Sequence, residues 1–409
     1  MKKNILVGQS GGPTSVINAS LYGVITGSMA HSDVIHTVYG MVNGIEGFLS
    51  GAYMDLFDTL NSEQLQLLKQ TPAAYLGSCR FKLPENLEDP VYPLLFQRFK
   101  ALKIGICLYI GGNDSMDTVD KLSRFAALHQ EEIRFIGVPK TIDNDLPVTD
   151  HTPGYGSAAK YVASTLREIS LDSSVYQKPS VTIVELMGRH AGWITAASCL
   201  ARRFPGDNPL LIYMPEVPFD MDHFLKDLKE ALAKQPNVVV CVSEGIQDKS
   251  GKLICEFSSE AQVDTFGHKA LSGCGKLLEQ YVRSQLSIKV RSVELNVNQR
   301  CSGLLASKED VEEAVMAGQT AVKAGIAGET GKMVIFTRQN KEIYELEYGL
   351  TPVGNVCNKE KKFPVQWIAE NHRDILPEFQ EYAMPLLQGE IDHIKENGLP
   401  KYISREQEK

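Results

Sequence analysis

No Cys-x-x-Cys pair occurs in this chain, although it carries eight cysteines, at Cys79, Cys107, Cys199, Cys241, Cys255, Cys274, Cys301 and Cys357. Several of them lie in apolar runs. That pattern argues against a zinc site or a disulfide framework and for a reducing compartment. No run reaches the roughly 18 apolar residues that a membrane helix needs. Positive charge is not in excess either: the net charge is −8, which disfavours a generic nucleic-acid surface. An anionic substrate would have to be met by locally placed Arg and Lys. Internal repeats and low-complexity tracts are missing. The opening stretch offers only Ile5, Leu6 and Val7 as an apolar run before its glycines. It reads as a first strand rather than a signal peptide.

What is present is an ordinary globular composition, 43% hydrophobic and 22% charged over 409 residues, long enough for two or three domains. Short β-rich runs alternate with helical patterns. The candidate strands are Ile5–Val7, Val34–Val38, Ile104–Ile110, Arg134–Val138, Val181–Leu186, Leu210–Met214 and Val238–Ser243. Most are continuously apolar, as strands buried on both faces are. Between them, Met116, Val119, Leu122 and Phe125 form one helical stripe, and Phe224, Leu225, Leu228 and Leu232 another, with Asp220 as its N-cap. The β-α-β rhythm predicts an α/β protein with mainly parallel sheets. Pro and Gly cluster at His151–Ser157, where a domain break is expected. Residues 311–327 read as helical. The basic run Lys359–Lys362 reads as solvated surface.

The densest chemistry lies in Pro139-Lys140-Thr141-Ile142-Asp143-Asn144-Asp145, directly after an apolar run. Carboxylates this close resist joint ionisation unless a cation or a proton sits between them. A lysine beside them can hold an anion that the acids alone would repel. The set suits phosphoryl transfer, with a base for a hydroxyl, a place for Mg²⁺ and a cation for migrating charge.

Other motifs fall at the same kind of position. Gly8-Gln9-Ser10-Gly11-Gly12-Pro13-Thr14-Ser15 follows the first strand, and it fits either a tight turn or a phosphate cradle. It lacks the Gly-Lys-Ser/Thr ending of a Walker loop. Gly111-Gly112-Asn113-Asp114-Ser115 offers either helix caps or oxygen ligands for Mg²⁺. Arg80 follows a Gly-Ser turn. Met187-Gly188-Arg189-His190 and Ser243-Glu244-Gly245 each end a buried run. Arg291 and Arg300 flank Leu295–Gln299, as a phosphate clamp or as surface residues of an edge strand. Gly12, Asn113, Lys140, Arg189 and Glu244 all fall at strand C-termini, the edge where open parallel sheets bind ligands.

Taken in order, these motifs resemble the phosphofructokinases, from Gly8 to about Gln319. The resemblance implies two Rossmann-like domains with the active site in the cleft between them: residues 1–155 with about 299–330, and residues 156–298, the remainder 331–409 being a C-terminal extension packed on the core. An acid at Asp114 and a lysine at Lys140 resemble the pyrophosphate-dependent members, whereas ATP-using members typically carry glycine at both places. A carboxylate at Asp114 adds bulk and charge where a nucleotide's α-phosphate would pass, and Lys140 supplies a cation for a compact diphosphate.

The resemblance further implies roles. Asp143 is the general base toward the C1 hydroxyl of fructose 6-phosphate, with Lys140 and Asp114 completing the catalytic set. Gly12, Arg80 and Lys140 bind pyrophosphate. Thr141, Ile142, Asp143, Asp145, Met187, Gly188, Arg189, Glu244, Arg291, Asn298 and Arg300 meet the sugar phosphate, Arg291 across a dimer interface. Asn113 and Asp114 face Mg²⁺. Three positions depart from the family pattern. Asn113 stands where an acidic metal ligand is common, Ser180 where an intersubunit arginine is common, and Val297 where His or Tyr is common. The expected protein is a cytoplasmic, Mg²⁺-dependent homodimer or homotetramer with no nucleic-acid or membrane partner. Three alternatives stay open at this point: ATP as donor, sedoheptulose 7-phosphate as acceptor, and a non-catalytic regulatory subunit.

Overall fold

Apolar runs bounded by turn residues become strands because they can bury both faces, and each of the seven runs named above does so. The structure is a computed structural model that describes residues 2–257, 273–339 and 343–405. In chain order the strands of the two large sheets are β1 (Lys3–Gln9), β2 (Ile35–Met41), β3 (Tyr53–Asp55), β4 (Ile104–Gly111), β5 (Arg134–Pro139), β6 (Ser180–Leu186), β7 (Leu211–Tyr213), β8 (Asn237–Ser243), β9 (Lys289–Glu294), β10 (Lys332–Arg338) and β11 (Leu346–Pro352).

The chain divides into two compact units. One comprises residues 1–157, 300–360 and 388–409, and the other residues 158–299 and 361–387. The first holds a seven-stranded sheet of order β11-β10-β5-β4-β1-β2-β3. Its five central strands run parallel, and β3 and β11 close the edges antiparallel. Successive residues of a strand point to opposite faces, so two cores form. Ile5, Val7, Ile106, Leu108, Ile110, Ile136 and Val138 enter one core. Leu6, Cys107, Tyr109 and Phe135 enter the other.

The second unit holds a four-stranded, wholly parallel sheet of order β7-β8-β6-β9. Val181, Ile183, Val238 and Val240 pack there against Phe224, Leu228, Leu278 and Val282 from its helices.

Helix Asn113–Leu128 buries the stripe of Met116, Val119, Leu122 and Phe125. Helix Met221–Lys234 starts at Asp220, whose carboxylate accepts from the N–H groups of Asp222 and His223.

Four strands of these two sheets were not legible. β3 is short, and β9 is an exposed edge with charged residues at Lys289, Arg291 and Glu294. β10 and β11 lie in the polar final segment. That segment, expected as one extension, contributes β10 and β11 to the large sheet and residues 361–387 to the other unit.

Candidate active site

In the first unit the carboxyl ends of β1, β4 and β5 carry the candidate donor-side residues. After β1 the chain turns at Gly11, whose φ of +76° suits glycine. The turn is held from three sides. Ser10 N–H donates to Ile110 O (3.0 Å), Gly11 N–H donates to Cys79 O (3.2 Å), and Ser78 Oγ donates to Gly11 O (2.6 Å).

Lys140, at the end of β5, is buried, and its ammonium donates to Gly12 O at 2.6 Å. Burial pulls this ammonium down to about 8, and Arg300 and Arg80 push the same way, while Asp143 and Asp145 oppose. The structure therefore places Gly12, Lys140, Asp143, Asp145, Arg80 and Arg300 within one field of charge. Arg300 was expected beside the sugar phosphate. Its guanidinium lies against the glycine turn, where a methyl added to Gly12 would sit 3.4 Å from its Nη1.

The acidic loop is fixed through its backbone. Lys140 N–H donates to Gly111 O (3.0 Å) and Thr141 N–H to Pro153 O (3.2 Å). Thr152 Oγ1 donates to Thr141 O (2.8 Å), and Asp143 N–H donates to Thr141 Oγ1 (3.1 Å). Ile142 is buried and Asp143 is half-buried. Next to Thr152, His151 bridges Asp150 (2.8 Å) and Glu313 (2.6 Å) while fully enclosed. Burial works against its charge, but Glu313 and Asp150 outweigh that and raise it to about 9. His151 was not singled out in the sequence, because Glu313 is remote along the chain.

Asn113 and Asp114 open helix Asn113–Leu128, with Gly112 as a cap that uses no side chain. Asp114 and Ser115 are thus first-turn residues rather than caps. The Asn113 carbonyl accepts Asn358 N–H at 2.6 Å, and its amide donates to Val356 O (3.4 Å) and to Lys359 O. Asp114 is exposed and pairs with Lys82 at 3.1 Å. Of these two, Asp114 is the residue with a charged oxygen to offer a cation. Among the described residues no cluster of three or more His, Cys, Asp or Glu could hold a metal by itself.

In the second unit, the ends of β6 and β8 carry the candidate sugar-phosphate residues. Gly188, at φ +124°, donates its N–H to Glu244 (3.2 Å), and its carbonyl accepts Ser243 Oγ (2.7 Å). Burial pushes the Glu244 carboxyl up, against the Gly188 N–H and the charges of Arg189 and His190. Met187 N–H donates to Gln299 (3.3 Å), and Arg189 is exposed. Asn298 is exposed at the start of a short helix. Arg291 lies on the edge strand β9, 3.5 Å from Asp172.

A family model described as Phosphofructokinase matches residues 4–325. The chain belongs to the phosphofructokinase family. Within it, a relative from Rhodospirillum rubrum named pyrophosphate–fructose 6-phosphate 1-phosphotransferase is 39% identical over 412 residues, covering 99% of this chain and 100% of its own. A relative of the same name from Halomonas elongata is 38% identical over 401 residues, covering 97% and 95%. A crystal structure described as a pyrophosphate-dependent phosphofructokinase from Marinobacter aquaeolei matches with a TM-score of 0.88 at 36% identity, covering 98% of this chain and 95% of that one. As a phosphofructokinase, the chain is notable for where it keeps its charge: a cation under the glycine turn, and acids on the loop beside it.

Proposed function

We propose that this protein transfers a phosphoryl group from pyrophosphate to the C1 hydroxyl of fructose 6-phosphate, giving fructose 1,6-bisphosphate and phosphate. One observation carries the donor assignment: the Lys140 ammonium lies under Gly12 with Asp143, Asp145, Arg80 and Arg300 in its field. A compact diphosphate has no base or sugar to grip, so its affinity must come from cations and backbone N–H groups. Relatives that cover nearly the whole chain and carry that activity in their names support the same reading.

The steps follow from the residues. Asp143 takes the C1 hydroxyl proton as that oxygen forms its bond to the terminal phosphorus. The bond from this phosphorus to the bridging oxygen breaks, and the leaving phosphate keeps the electron pair. Lys140, Arg80 and Arg300 meet the charge that builds on the donor oxygens. Met187, Gly188, Arg189 and Glu244 hold the sugar phosphate, with Asn298 and Arg291 as further candidates. Thr141, Ile142 and Asp145 set the shape of the catalytic loop.

Magnesium commonly binds through one or two carboxylates plus substrate phosphates. The exposed Asp114 carboxylate fits that pattern, whereas the Asn113 amide is already committed to residues 356–359. A magnesium ion there would neutralise charge on the diphosphate.

We place the enzyme in the cytoplasm as a homo-oligomer. All eight cysteines are free thiols, and among the described residues no helix is long and apolar enough to cross a membrane. The deciding experiment is turnover of fructose 6-phosphate with each donor in turn. Robust activity with ATP and none with pyrophosphate rejects the assignment.

A further inference from the structure

The loop that leaves β6 at Met187 is gripped at both ends by a carboxylate. At its start, Gly188 N–H donates to Glu244. At its end, Gly192 N–H donates to Glu216 Oε1 at 2.8 Å. That same oxygen accepts Phe363 N–H at 3.0 Å. Glu216 Oε2 is enclosed with no hydrogen-bond partner among the described residues, and a methyl on Gly192 would come within 2.7 Å of it. The carboxylate is thus pressed against the loop backbone. Burial pushes it up from its usual range, and the two N–H donors oppose that.

Phe363 belongs to the segment 361–387 of the same unit. This segment also holds Trp193, the residue after Gly192. The Trp193 indole N–H donates to Lys361 O at 3.1 Å, and the Lys361 ammonium lies 5.1 Å above the ring. Phe363, Trp367 and Tyr382 pack on the indole at centroid distances of 5.1, 6.1 and 5.4 Å. The basic run that reads as solvated surface in the sequence therefore sets Lys361 over an indole face.

We propose that Glu216 is a positioning residue for the sugar-phosphate loop and that segment 361–387 is the strap that fixes it. This rests on the reading that residues 187–189 hold fructose 6-phosphate. Glu216 touches no reacting atom. Its part is to order the far end of the loop before the sugar arrives, so that binding does not bear the cost of ordering it. Linkage makes the effect reciprocal. If the Glu216 contact tightens sugar-phosphate binding, the bound sugar phosphate must tighten that contact by the same factor.

Two measurements test this. Glu216→Ala leaves two enclosed N–H groups without their acceptor. The KM for fructose 6-phosphate is expected to rise roughly ten- to hundred-fold, with kcat and the KM for pyrophosphate holding within about twofold. Glu216→Gln, which keeps an acceptor oxygen, should recover most of the loss. Unchanged KM values for both substrates, or an equal rise in both, overturn the proposal. Should Glu216→Ala fail to fold, hydrogen exchange on the unaltered enzyme decides. Fructose 6-phosphate should slow exchange at Gly192 and Phe363, and pyrophosphate should not. Exchange at Phe363 that ignores fructose 6-phosphate overturns it. An Arg189→Ala enzyme with an unaltered KM for fructose 6-phosphate would instead sink the assignment of the loop itself, so the two failures are distinguishable.

Discussion

The Lys140 ammonium donates to the Gly12 carbonyl at 2.6 Å, so the end of β5 is tied to the turn after β1 by a buried cation. That bond aims the charge at the glycine turn, where burial has already brought the ammonium down to about 8. In the free enzyme the lysine loses its proton above that pH. The kcat/KM for pyrophosphate should then fall by up to about tenfold per pH unit. Lys140→Arg, which cannot deprotonate, should abolish this limb even if its overall rate is low. A pH profile that is the same in both enzymes would remove Lys140 from donor binding.

Asp143 follows Thr141, whose backbone is pinned at both its N–H and its carbonyl. Replacing this proposed base while leaving that frame intact should separate chemistry from binding. Asp143→Asn should lower kcat by roughly 10²–10⁴-fold, with the KM for fructose 6-phosphate changing only a few-fold. Steady-state kinetics check this, and an unchanged kcat would assign the proton to another acceptor.

Donor choice should reside at Asp114 and Lys140. On the proposed reading, the exposed Asp114 carboxylate would repel and obstruct a nucleotide's inner phosphates, and Lys140 would favour a small dianionic end group. Asp114→Gly combined with Lys140→Gly should create measurable ATP-dependent turnover and depress turnover with pyrophosphate. If ATP use stays undetectable in both single variants and the double variant, obstruction at this turn is not what excludes the nucleotide.

His151 offers a stability test. Its folded pKa, about 9, lies above the ordinary value near 6.5. The charge therefore stabilises the fold fully below about pH 6.5, and this contribution is lost as pH rises through about 9. Removing one member of a buried charged pair costs about 3–5 kcal/mol. Urea unfolding of His151→Gln should show a deficit of that order below about pH 6.5, narrowing as pH rises through about 9. A deficit that does not vary with pH would show that His151 acts by packing alone.

The central strands were legible because burial on both faces leaves an uninterrupted apolar run, as in Ile104–Gly111. The edge strand β9 carries charge at Lys289, Arg291 and Glu294, so it left no such mark. Among candidate site residues, chain position pointed to Gly12, Asn113, Lys140, Arg189 and Glu244, since each follows a readable strand. What touches what could not be read. Asn113 meets Asn358, His151 meets Glu313, and Glu216 meets Phe363, each pair distant in sequence. Arg300 lies against Gly12 for the same reason: long-range folding, not local pattern, decides which ligand a cation can reach.

The path of the chain has a consequence for biosynthesis. It passes between the two units at 157/158, 299/300, 360/361 and 387/388. β1 leaves the ribosome well ahead of β10 and β11, and its sheet waits for both. Neither unit can be finished before the other has begun. Assembly on the ribosome is therefore nested rather than sequential, and a nascent chain stalled before Lys332 would present an open β5 edge to its neighbours.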